Sequence, residues 1–309
     1  MIITVTLNPA VDKTADLSKF EHGGLNRLTN IINDAGGKGI NVSKTIKALG
    51  GTSIATGFLG KSAGMLIERA LDELGIEHDF ISVNGNTRTN LKVVEQNGFV
   101  TELNEPGPII SSDNMKALEE KLLSYANKET IYVFAGSIPA SADQEAYCDL
   151  IYAVKTKGAK VFLDADGELF AQGLKAQPTI IKPNKAEVEE HFCMTHSATE
   201  EELIRMGKKL LQEGPELVAV SRGAMGALFF TENAVYSCQG LKVSAHSTVG
   251  AGDAMVAALT YGIDQKMDLR DCIRLGMAAS AGAVTTKGTK PPTKDLVDKL
   301  MKQVIIEKK

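Results

Sequence analysis

Short apolar runs alternate along this chain with stretches of helical period, and that rhythm restricts the fold more than any other feature. Val- and Ile-rich runs occupy Ile2–Leu7, Ser53–Phe58, Ile131–Ala135, Lys160–Leu163, Thr179–Ile181, Leu217–Ser221 and Ala227–Thr231. Between them the apolar residues recur at helical spacing in Met65–Leu74, Asp113–Ser124, Gln144–Lys157, Ala186–Phe192 and Glu200–Gln212, several closed by a glycine (Gly75, Gly158, Gly214). Runs apolar on both faces need cover on both faces. The pattern therefore predicts an α/β fold with a largely parallel central sheet and helices on either side.

Two segments break the rhythm. Asp12 to Asn33 and Thr87 to Glu102 alternate with period two, and Asn97-Gly98 in the second predicts a two-residue hairpin. Both read as a small β flap projecting from the main domain, with one face needing cover. There is no internal repeat, low-complexity tract or linker, so the 309 residues read as one domain with an inserted lid at about 12–33 and 87–102.

Composition narrows the function. With 34 basic against 38 acidic residues, a broad nucleic-acid or membrane surface is not expected, and an anionic partner must be bound locally. The four cysteines show no C-x-x-C pair and read as reduced core residues. The N-terminal run lacks a basic lead and reads as a first strand, not a signal peptide. The charge-free stretches Ile131–Ala142 and Leu275–Thr286 fall short of the roughly 20 residues a membrane helix needs. A cytoplasmic protein is expected.

The chemistry points to Ser247-Thr248-Val249-Gly250-Ala251-Gly252-Asp253, which runs into the apolar helix Ala254–Gly262. Glycines at a helix start leave bare N–H groups at the positive dipole end, which is an anion site suited to an ATP phosphate. A carboxylate there is repelled by phosphate, so Asp253 needs a job, and general base is the one that fits. Read alone, Asp253 could equally complement the helix dipole. The loop fits neither a dinucleotide fingerprint nor a Walker loop; Gly60-Lys61-Ser62 lacks the glycine a Walker loop needs at Ala55 and reads as a strand-to-helix turn.

A second cluster, Gly36-Gly37-Lys38-Gly39-Ile40-Asn41, also opens a helix; its glycines allow close backbone approach and Asn41 can bond sugar hydroxyls, though a plain turn has the same composition. Asp12 follows the first strand, where crevices of open α/β sheets lie. Arg27 and Arg88 sit in the flap segments. Ser221, Gly223 and Gly226 frame either a nucleotide or a hairpin. The five histidines have no ligand or triad spacing.

Together these motifs resemble the phosphofructokinase B branch of the ribokinase-like sugar kinases. The likeness spans essentially the whole chain and rests on five motifs in family order: Thr6-Leu7-Asn8-Pro9-Ala10-Val11-Asp12, Gly36 to Asn41, Ala135-Gly136-Ser137-Ile138-Pro139, Lys182-Pro183-Asn184 with Glu187, and Ser247 to Asp253. It implies a ribokinase-like three-layer α/β/α sandwich with a β-sheet lid, and ATP and Mg²⁺ as requirements.

The resemblance also implies roles. Asp253 would be the base, with Gly250, Ala251 and Gly252 as the anion hole. Asp12, Gly37 and Asn41 would bind the sugar, Lys38, Arg27 and Arg88 would hold the phosphate it already carries, and Ser137 would join the substrate site. Lys182, Asn184, Thr248, Ser221, Gly223 and Gly226 would line the ATP site, with Asn184 and Glu187 organising Mg²⁺ through water. Ser247, Val249, Ala283, Thr286 and Gly288 stand where relatives bind a monovalent cation such as K⁺, although position 286 often differs there. Two flaps would pair in a homodimer. Within the branch the motifs are most similar to kinases acting on fructose 1-phosphate, and next to those acting on tagatose 6-phosphate. A non-catalytic sugar-phosphate and nucleotide sensor is the competing reading; a nicotinamide oxidoreductase lacks its fingerprint.

Overall fold

The computed structural model describes all residues, 1–309. Its large sheet runs in the order Ile306–Lys308, Ala234–Cys238, Ala227–Thr231, Leu217–Ser221, Ile180–Ile181, Lys160–Asp164, Ile131–Ala135, Ile2–Thr6, Ile54–Gly60 and Glu77–His78, with Ile81–Val83 also paired to Ile54–Gly60. From Leu217–Ser221 to Glu77–His78 every pairing is parallel; the three remaining strands are antiparallel. Strand side chains alternate between two cores. Ile3, Val5, Tyr132, Phe134, Val161 and Leu163 face one; Ile2, Val133, Ala135 and Phe162 face the other. Helices Ser112–Tyr125, Ala146–Thr156, Gly167–Lys175 and Glu200–Gln212 cover the first core, and Lys38–Ala48, Ala251–Asp264, Leu269–Val284 and Lys294–Met301 the second. This is the expected three-layer α/β/α sandwich.

The antiparallel edge was not anticipated beyond Ala227–Thr231. Ala234–Cys238 is short and mixed, although Val235 and Cys238 reach the two cores, and Ile306–Lys308 is mostly exposed, so neither stands out as an apolar run. The charge-free Leu275–Thr286 stretch lies mainly in the helix Leu269–Val284, and no helix is long and apolar enough to cross a membrane.

The interrupting segments form a separate four-stranded sheet in the order Thr29–Gly36, Ala10–Leu17, Arg88–Glu95, Val100–Asn104. The strands begin or end a few residues outside the expected limits, and Asp12 lies within the strand Ala10–Leu17. The turn at Asn97-Gly98 also differs from a two-residue hairpin. The last strand pair is Val94 with Val100, the Gly98 N–H donates to the Glu95 carbonyl, and Gly98 alone has positive φ (89°). Asn97 stays right-handed, so the connection is a longer, bulged turn. One face of this sheet packs through Val11 and Ala35 onto the helix Lys61–Leu74; elsewhere Leu25, Ile31, Ile32, Phe99, Val100 and Leu103 are exposed.

The cysteines are all free, but only Cys238 and Cys272 are core residues. Cys148 is half-buried, and Cys193 is exposed in a left-handed turn after the helix Lys185–His191, a placement its sequence neighbours do not signal.

Candidate active site

The parallel strands end at one side of the sheet, and polar residues follow their last apolar positions: Asn8, Ser137, Asp164, Lys182 and Ser221. Open α/β sheets bind ligands there, outside the carboxyl ends of their strands. The helices Lys38–Ala48 and Ala251–Asp264 begin at the same crevice. They bring Asn41 against Asp253, whose Oδ2 accepts from Asn41 Nδ2 at 2.8 Å.

Asp253 lies in the first turn of its helix and is 8% exposed. Burial, reinforced by Asp164, pushes its carboxyl up to about 6 against the opposing pull of Asn41, Lys38 and Lys182. The helix cap, Gly250, has φ 82° and no side-chain cap. The N–H groups of Gly250, Gly252 and Asp253 find no acceptor in the chain, while Ala251 N–H makes only a long bond to the Thr248 carbonyl at 3.4 Å. The free donors therefore run from the helix cap into its first turn.

Lys182 overhangs that terminus: a Cβ added to Gly252 would stand 3.4 Å from its ammonium. The same ammonium is 3.3 Å from Asp164, and Lys38 approaches Asp164 at 3.8 Å. Burial alone would depress Lys38, but Asp164, Asp253, Asp166 and Glu187 together hold it above its usual value. Lys38 thus faces the acids around Asp253 and packs against Gly136, next to Ser137.

Asn184 and Glu187 form a capping box: Asn184 Oδ1 accepts from Glu187 N–H at 2.9 Å, and Glu187 Oε2 accepts from Asn184 N–H at 2.8 Å. Glu187 is raised by burial against the pull of Asn184 N–H and Lys182. No three His, Cys, Asp or Glu side chains converge closely enough to hold a metal directly.

On the far side, Asp12 accepts from Asn90 Nδ2 at 3.0 Å and is raised by burial despite Lys44, Lys92 and Arg88 nearby. Arg88 donates to the Asn8 carbonyl at 3.2 Å and reaches Ser137 Oγ at 3.5 Å. Arg27 is exposed between two strands of the small sheet and makes no hydrogen bond or ion pair, so this chain alone does not bring it to the others. The glycines of the second cluster mostly answer to the protein itself. A Cβ on Gly36 would fall 2.1 Å from Asp12 Oδ2, and one on Gly39 would fall 2.4 Å from Thr6 Oγ1. Gly37 starts the helix at φ 115°.

At the other end Ser221 bridges to Asn184. Gly226 is required by its hairpin, since a Cβ would meet the Cys238 carbonyl at 2.0 Å, whereas Gly223 faces open space. Ser247 N–H donates to the Val284 carbonyl at 3.1 Å, and Gly250 approaches Thr289, so the loops carrying Val249 and Gly288 adjoin. Thr286 Oγ1 lies 2.8 Å from the Ala283 carbonyl and 2.6 Å from that of Lys290.

Sequence reasoning missed Asp164, Asn8, Asn90 and Lys44. Asp164 had a signal, an acid directly after an apolar strand. Buried oxygens without a hydrogen bond mark the same crevice: Thr6 Oγ1, Asn8 Oδ1, Asn41 Oδ1 and Asn90 Oδ1, while Asp164 Oδ1 has only the ion-pair contacts of Lys182 and Lys38.

A buried carboxylate at an uncapped helix N-terminus, two lysines and a polar crevice at the strand ends suit phosphoryl transfer. Residues 5–296 match the pfkB family of carbohydrate kinases, and the chain belongs to that family; it is an ATP-dependent sugar kinase. It is 37% identical over 308 residues to the 1-phosphofructokinase of Borreliella burgdorferi, covering 99% of this chain and 98% of that one. It is 39% identical over 304 residues to the 1-phosphofructokinase of Bacillus subtilis, covering 98% of each. Phosphofructokinase-2 from Escherichia coli, solved with potassium, superposes with a TM-score of 0.92 at 28% identity, covering 98% of both chains. The sensor reading gives way to an enzyme.

Proposed function

We propose that the enzyme transfers the γ-phosphoryl group of ATP to the 6-hydroxyl of fructose 1-phosphate, giving fructose 1,6-bisphosphate and ADP. The observation that carries the reading is Asp253, a buried carboxylate raised to about 6 beside free helix N–H groups. A base poised just below neutral pH accepts the acceptor hydroxyl's proton and is ionised when needed. Negative charge growing on the transferred group meets the N–H groups of Gly250, Gly252 and Asp253 and the Lys182 ammonium, with Ala251 shaping the turn. Asn41 orients the base. Asp12, Gly37 and Asn90 face the sugar, Arg88 and Ser137 its 1-phosphate, and Lys38 the transferred phosphoryl.

Fructose 1-phosphate is favoured because the two relatives described are 1-phosphofructokinases at 37% and 39% identity over nearly the whole chain. Asn184, Ser221, Gly223 and Thr248 border the strand ends where ATP fits. The carboxylate oxygen of Glu187 that Asn184 N–H leaves free, with Asn184 beside it, suits a cation that keeps its own water. Mg²⁺ held there would offset phosphate charge. K⁺ is placed at the adjoining loops of Ser247, Val249, Ala283, Thr286 and Gly288, and the potassium complex of the E. coli relative supports that placement. The small sheet acts as a lid, and its exposed apolar residues are covered by the same sheet of a second copy. An ADP-release assay with fructose 1-phosphate, tagatose 6-phosphate and fructose 6-phosphate tests the assignment. Fructose 1-phosphate should have the highest kcat/KM, by about two orders of magnitude; preference for tagatose 6-phosphate would move the acceptor, and no turnover with any would end the reading.

A further inference from the structure

Lys44 lies inside the helix Lys38–Ala48 and is 9% exposed. Its ammonium donates to the Ala35 carbonyl and has no carboxylate in ion-pair contact. Ala35 immediately precedes Gly36, the residue whose missing side chain makes room for Asp12, and Asp12 pairs in register with Asp34 across the small sheet. Three acids act on the ammonium through space without contacting it: Asp34 and Asp12 from that sheet and Asp253 from the helix Ala251–Asp264.

The cations around Asp12 are Lys44, Lys92 and Arg88, with Asn90 as its hydrogen-bond donor. Lys92 is bound to Glu102 at 2.9 Å, and Arg88 is turned toward the Asn8 carbonyl and Ser137. Lys44 is the most buried of the three and makes no ion pair. We propose that Lys44 is a positioning residue for the sugar acceptor: it anchors the Ala35-Gly36 backbone against which the Asp12 carboxylate rests and holds a buried positive charge behind that carboxylate. The inference rests on the assignment of Asp12 to sugar hydroxyls. Burial depresses the Lys44 ammonium less than it otherwise would, because Asp34, Asp12 and Asp253 offset it.

Steady-state kinetics of the full chain test it. Lys44→Met should raise the KM for the sugar phosphate about tenfold or more at pH 7 while leaving the KM for ATP within about twofold. Without the cation Asp12 holds its proton to higher pH, so the sugar KM of Lys44→Met should fall back toward the wild-type value between pH 7 and 9. Lys44→Arg should restore the sugar KM. Asp12→Asn combined with Lys44→Met should be no worse for the sugar than Asp12→Asn alone, because the two act as one unit. A parallel rise in both KM values, a pH-independent loss, or additivity would overturn the proposal. Should Lys44→Met fail to fold, the double variant decides. Folded with the kinetics of Asp12→Asn, it supports the proposal; unfolded, it makes Lys44 purely structural. If Asp12→Asn itself leaves the sugar KM unchanged, the sugar-site assignment fails; if Asp12→Asn raises it and Lys44→Met does not, only the role of Lys44 fails.

Discussion

Asn41 donates to Asp253 across 2.8 Å although the two residues lie 212 positions apart in the chain. The bond joins the first turns of two helices from different motifs, and it favours the ionised carboxylate against the burial that opposes it. Asn41→Ala removes that donor. Asp253 should then hold its proton to higher pH, and the acid limb of the kcat profile should move upward relative to wild type with the same substrates. An unmoved limb would show that Asn41 does not act on the base.

The wild-type limb follows from the same group. With its folded pKa raised from 3.8 to about 6, Asp253 is protonated below that pH and ionised above it. Activity should therefore fall as pH drops through about 6 and level off above it. Stability runs the other way. The contribution of Asp253 is fully present below 3.8 and is lost as pH rises through about 6, because a buried carboxylate must then carry charge. Asp253→Asn should consequently raise the melting temperature at pH 8 while leaving it little changed at pH 4, as thermal unfolding at the two pH values would show.

Gly36 tests the packing beneath the sugar. Its missing Cβ is occupied by the Asp12 carboxylate, so Gly36→Ala must displace that group. The KM for the sugar phosphate should rise by at least about tenfold with the KM for ATP nearly unchanged. Equal effects on both substrates would point to a global distortion.

The exposed Ile32 and Val100 of the small sheet give the assembly a direct handle. Sedimentation should find a dimer for the wild-type chain and a monomer with reduced activity for Ile32→Glu combined with Val100→Glu. A wild-type monomer with full activity would remove the lid-to-lid pairing.

Much of this architecture was legible because it is local. Seven apolar runs and the helical periods between them gave the sandwich, and the two glycine clusters gave both helix termini at the crevice. What escaped depends on distant packing. Lys44 reads as an ordinary helix-surface lysine until the strand Thr29–Gly36 buries it. Asp164 was lost because the strand was ended at Leu163, one residue short of its functional end. Gly36 and Gly39 look alike in sequence as ligand-approach positions, yet the atoms that need their space belong to Asp12 and Thr6. Arg27 remains apart from the pocket of its own chain, a matter that no local pattern could decide.

The central claim is that Asp253 is the base of the phosphoryl transfer. Single-turnover measurement of ADP formation by Asp253→Asn, with nucleotide affinity determined in parallel, tests it most directly. The chemical step should slow by about three to four orders of magnitude with ATP affinity preserved. Near-normal single turnover in that variant would contradict the account and return Asp253 to complementing the helix dipole.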